Sequence, residues 1–159
     1  AVCTLIAALV VPVPGRNRLP GPSNPEAPPA EVPDFAMTER SGKTVRKADL
    51  LGKVWVASFV FTECDGPCPR VAANVYRLQQ ELPDRPDLKL VTFTMDPEHD
   101  TPAVLAKYAA QPTRPADPDR WLFLTAGSEA EAHRLMRDHF RQAVARNTTP
   151  DTPVGKKFN

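Results

Sequence analysis

The stretch Val54-Trp55-Val56-Ala57-Ser58-Phe59-Val60-Phe61, continuing into Thr62-Glu63-Cys64-Asp65-Gly66-Pro67-Cys68-Pro69, decides how this chain is read. Its first part is almost wholly apolar and β-branched or aromatic, the composition of a strand buried on both faces of a sheet. Downstream, Val71, Val75, Leu78 and Leu82 fall at i, i+4, i+7 and i+11, the stripe of an amphipathic helix. The two cysteines therefore occupy a strand-to-helix junction. There the unpaired backbone N–H groups and the positive end of the helix dipole favour a thiolate over a thiol. Metal capture and disulfide chemistry both need that thiolate.

Working outward, the pattern predicts a short strand at 35–38, a turn at Ser41-Gly42, a second short strand at 44–45 and a brief helix or turn at 48–51, so that a hairpin leads into the central strand. After the helix, expected over 69–82, comes a strand at 88–94 (LKLVTFT) and the loop 96–102 (DPEHDTP). A helix over 102–110 follows, with Thr101 as N-cap and Pro102 in its first turn. A strand at 121–124 precedes a helix over 129–140, capped by Ser128, whose apolar face is Ala132, Leu135, Met136, His139 and Phe140. Strands alternating with helices imply parallel pairing and right-handed crossovers, hence an α/β sheet with helices on both faces. Residues 147–159 read as loop.

The 159 residues suffice for one domain with a substantial core. With 20 basic and 19 acidic residues the formal charge is +1, which gives no basis for a nucleic-acid partner. Residues 1–13 (AVCTLIAALVVPV) form an apolar run that is too short to span a bilayer alone, and fit part of a membrane anchor or signal segment. Residues 14–33 are Pro-rich and read as an extended linker, placing the start of the domain at residue 34. Cys3 lies inside the apolar run and has no assigned role.

With these pieces in place, namely 51–62 (LGKVWVASFVFT), the CxxxCP site at Cys64 to Pro69, and 92–102 (TFTMDPEHDTP), the chain resembles the Sco/SenC family of copper-binding assembly proteins. The resemblance implies a thioredoxin-like fold with an added N-terminal β-hairpin, anchored in the bacterial inner membrane and facing the periplasm. It also implies one copper ion, Cu(I) or Cu(II), held by Cys64, Cys68 and a distal histidine. The ion would be delivered to the copper centre of cytochrome c oxidase subunit II, with that subunit or its assembly factors as partner. None of His99, His133 and His139 stands at the matching position. The third ligand, a histidine, and the C-terminal strands and helix of the fold are therefore expected beyond Asn159.

Thiolates are soft and suit Cu(I), and imidazole serves either oxidation state. The CxxxC spacing fits two sulfurs closing on one ion and equally permits a Cys64–Cys68 disulfide, which an exported location would allow. Gly66 is expected to give the loop freedom, with Pro67 and Pro69 limiting it elsewhere. The alternative function is a thiol-disulfide oxidoreductase in which one cysteine attacks a client disulfide and the other resolves the mixed intermediate. Two blander readings are a stabilising disulfide and a pair of reduced core thiols. Structural zinc takes four Cys or His donors, and no second pair is present. His133 and His139 are six apart on one helix and cannot share a ligand face. His139 reads as a core or edge residue, and His99 as a solvated loop residue or a substitute ligand. Asp96 and Asp100 read as loop and capping residues, with an outer role near the metal open to Asp96.

Overall fold

In the computed structural model, residues 31–144, 147, 157 and 158 are described, and they build one mixed sheet in the order β2-β1-β5-β4-β3. The strands are β1 (Ala36–Glu39), β2 (Thr44–Arg46), β3 (Val54–Val60), β4 (Leu88–Thr94) and β5 (Trp121–Thr125). The helices are α1 (Cys68–Glu81), α2 (Pro102–Ala109) and α3 (Glu129–Asp138), with a short 3-10 turn at Lys47–Leu50. β1 and β2 form the expected antiparallel hairpin, and β1 also runs antiparallel to β5. β3, β4 and β5 are parallel, in a register that sets Val60 opposite Thr94 and Leu90 opposite Trp121.

Period-two alternation sends successive side chains to opposite faces, and each face meets its own helices. Leu88 and Leu90 of β4, with Trp121 and Phe123 of β5, pack under α1 and α2 against Ala72, Val75, Leu105 and Tyr108. Val91, Phe93 and Leu124 point the other way, onto Ala132, Leu135 and Met136 of α3 and onto Phe35 and Met37. Helices therefore cover both faces, as the alternation of elements predicts. The polar atoms inside the sheet find partners: Ser58 Oγ and Thr92 Oγ1 lie 2.7 Å apart, and the indole N–H of Trp121 donates to Thr92 Oγ1 at 2.8 Å.

Two expectations need correction. β3 is not buried on both faces throughout: Val54 is 56% exposed and Trp55, Val56, Ala57 and Phe59 are only half-buried. Among the described residues β3 pairs with β4 alone, so its outer side lacks a neighbouring strand. Within the stretch read as loop, Phe158 is a core residue, buried beneath α1 and α2 and 5.2 Å from the Phe61 ring. A single aromatic in a polar, Pro-containing segment carries no periodicity from which burial could be read. The apolar run 1–13 and nearly all of the linker 14–33 lie outside the described residues. No helix among the described residues is long and apolar enough to cross a membrane.

Candidate functional site

β3 leads to Phe61 and Thr62, where the chain leaves the sheet and turns, the Cys64 N–H donating to Phe61 O at 3.2 Å. Its exit is held by Asp100, a fully buried carboxylate. Asp100 accepts from the Thr62 N–H at 3.1 Å and the Thr62 hydroxyl at 2.5 Å, and also from the Thr94 hydroxyl. His99 Nδ1 adds a contact of 3.1 Å. One carboxylate thus joins the ends of β3 and β4 to the loop before α2. Asp100 is an organising residue rather than a capping residue; the cap of α2 is Thr101, whose hydroxyl accepts from the Val104 N–H.

α1 begins at Cys68, after Pro67 at the N-cap, and the Arg70 and Val71 N–H groups return to Pro67 O at 3.0 and 3.1 Å. Cys64 and Cys68 are free cysteines lining one cavity. They differ in surroundings: Cys64 is half-buried, while Cys68 is 3% exposed. Burial, with the neighbouring Cys64 acting in the same direction, pushes the Cys68 thiol up to about 12. The thiolate expected from the helix end is therefore not the resting state of Cys68. Desolvation of the charge outweighs the dipole because the sulfur starts the helix from its buried side. Gly66 is also not needed for its conformational freedom: its φ is not positive, and a Cβ there would meet only Cys64 Sγ at an ordinary 3.8 Å.

Both sulfurs line a half-open cavity of about 590 Å3, whose walls include Phe61, Met95, Val144 and Phe158. The walls are mainly apolar, so two sulfurs there can close on a soft cation or on each other. The histidines are engaged elsewhere. His99 lies between Asp100 and Glu63, with Nε2 3.4 Å from Glu63 Oε1, and the hydrogen bond to Asp100 raises its basicity. His133 Nε2 donates to Met95 O at 2.9 Å, and its ring meets Phe158 edge-on. His139 is an edge residue at the end of α3, its Nδ1 3.3 Å from Glu31 O.

Asp96 is buried and takes the Lys157 ammonium at 2.6 Å on Oδ2. Among the described residues, one group of three acidic or ligating side chains converges, Asp96, Glu98 and Glu129, and it includes neither cysteine. Sequence reasoning missed the organising role of Asp100 and the presence of Met95 in the cavity wall. Thr62 and Thr94, hydroxyls closing two apolar strands, were the available signal for the former.

The model of the SCO1/SenC family matches residues 23–157. The SCO1 protein homolog of Bacillus subtilis (strain 168) is 34% identical over 125 residues, covering 78% of this chain and 64% of its own. The mitochondrial SCO2 homolog of Mus musculus is 35% identical over 103 residues, covering 63% and 38%. The chain thus spans between about two-fifths and two-thirds of these relatives. Among solved structures, a SCO1/SenC family lipoprotein from Bacillus anthracis str. Ames superposes with a TM-score of 0.70 at 31% identity, covering 76% of this chain and 71% of that one. Bradyrhizobium japonicum ScoI with copper bound gives 0.64 at 25%, covering 76% and 73%.

Proposed function

Since this chain belongs to the SCO1/SenC family and has the family's thioredoxin-like fold, we propose that it is a copper metallochaperone that takes up copper between Cys64 and Cys68 and delivers it to the copper centre of cytochrome c oxidase subunit II. The observation that carries the reading is the pair of free cysteines brought together in the wall of one apolar cavity. The donor set fits the cargo, because thiolate sulfur prefers Cu(I) and an apolar wall excludes competing water. Supporting it, ScoI of Bradyrhizobium japonicum and Sco1 of yeast have been solved with copper bound. The Bacillus subtilis relative BsSco is described as a member of a family of cytochrome c oxidase assembly proteins.

None of His99, His133 and His139 lines the cysteine cavity, and each has its own partner. The run 1–13 serves as a membrane anchor and 14–33 as a linker, holding the domain from residue 34 on the periplasmic side of the bacterial inner membrane. Transfer proceeds by ligand exchange between thiolate-rich donor and acceptor, so that the ion is never free.

The same pair supports a second reading, because one thiol is accessible and the other lies behind it. A Cys64 thiolate attacks one sulfur of a client disulfide and expels the other as a thiolate; Cys68 then attacks Cys64, closing their disulfide and releasing the client reduced by two electrons. Titration of the protein with Cu(I) against a competing chelator separates the two functions. Replacing either cysteine by serine abolishes tight binding if copper is the cargo. Unchanged Cu(I) affinity in both variants, with loss of disulfide reduction, overturns the chaperone in favour of the oxidoreductase.

A further inference from the structure

Met95 follows β4 directly and is a lining residue of the same cavity as Cys64 and Cys68. Its backbone is pinned on both sides: the N–H donates to Val60 O at 2.8 Å, and the carbonyl accepts from His133 Nε2 at 2.9 Å. The other methionines, Met37 and Met136, are buried in the core on the opposite face of the sheet. Met95, half-buried like Cys64, packs against the margins of both core clusters, the one beneath α1 and the one that holds Met37 and Met136. An unbranched thioether with three rotatable bonds can reposition its sulfur in such a cavity while the backbone stays fixed.

We propose that Met95 supplies a thioether donor to Cu(I) beside the two cysteine sulfurs. The inference rests on the copper reading above and extends it to a residue outside the CxxxC motif. Two thiolates around Cu(I) leave a net negative site. A neutral sulfur adds a ligand without adding charge to an apolar cavity, where further charge is costly. Phe61, Val144 and Phe158 offer no donor atom, and the carboxylate of Asp65 and the amide oxygens of Gln142 and Asn147 in the same wall are hard. Because thioethers favour Cu(I) over Cu(II), Met95 tilts the site toward the reduced ion.

The test replaces the methionines by selenomethionine, loads the protein with Cu(I), and records selenium-edge X-ray absorption. A selenium–copper path is expected, and it disappears in Met95→Leu, a substitution close enough in volume to keep the fold. Chelator competition should show Cu(I) affinity lowered at least about tenfold in Met95→Leu, no less than the loss of an outer partner of a metal site costs. Cu(II) affinity should be unchanged. A missing selenium–copper path, or equal Cu(I) affinities, overturns the role of Met95. If Cys64→Ser and Cys68→Ser lose Cu(I) while Met95→Leu binds like the parent, Met95 alone is ruled out; if the serine variants keep Cu(I), the copper reading itself fails.

Discussion

The sulfur of Cys68 sits where apolar burial and the start of a helix compete, and burial dominates: its thiol is pushed up to about 12. Metal binding must release that proton, so Cu(I) affinity rises with pH, about tenfold per unit for each thiol proton displaced. Competition titrations between pH 6 and 8 should return that positive slope; a flat profile would mean that the thiols bind already ionised. The raised value also makes the metal-free protein lose stability from about pH 9 toward 12. Across that interval the folded state holds a proton the unfolded chain has released. His99 carries the same sign at lower pH. Its basicity is raised by Asp100, so its contribution is complete below about 6.5, the ordinary histidine value, and fades as pH climbs through the raised one. The melting-temperature difference between the parent and His99→Gln should therefore be largest in acid and vanish in alkali. Asp100→Ala is the more damaging change. It strips a buried acceptor from the Thr62 N–H and from two hydroxyls, at a cost of about 1 to 3 kcal/mol for a donor left unsatisfied, read from denaturant unfolding.

At the scale of elements, the parts that could be read in the sequence were those with strong local codes. β4 begins and ends where its apolar run does, and Thr101-Pro102 and Ser128 start α2 and α3 as N-cap chemistry requires. The hairpin, the CxxxC turn and the helix after it were legible for the same reason. What could not be read depends on contacts far apart in sequence. Asp100 meets Thr62 across 38 positions, and Cys68 is buried in a cluster that includes Tyr108, Phe123 and Phe158, all remote from it in sequence. Gly66 illustrates the converse error, a residue whose type suggests a special conformation that the loop does not adopt. Gly66→Ala should thus leave both the melting temperature and Cu(I) affinity nearly unchanged, since neither φ nor space opposes a methyl group. A large loss in either would show that the loop visits a positive φ when it closes on the ion.

Across the whole molecule, one sheet separates two apolar layers, and the cysteine cavity opens beside the layer that holds α1 and α2. Phe158 ties a remote segment to this place: it meets Phe61 at 5.2 Å and His133 at 5.3 Å, while the preceding Lys157 pairs with buried Asp96. These contacts link the approach to Cys64, the residue that holds the Met95 carbonyl, and the loop after β4. Phe158 therefore walls the cavity as well as filling core. Removing the ring in Phe158→Ala should cost about 3 kcal/mol, the lower end of the range for a buried Phe. It should also speed alkylation of Cys68 by iodoacetamide, because the wall over the sulfur is gone. Lys157→Met separates the two effects. It leaves the ring in place but removes the charge that neutralises Asp96, so stability should fall while Cys68 stays protected. Equal alkylation rates in the parent and in Phe158→Ala would mean that the ring adds to the core without shielding the thiol.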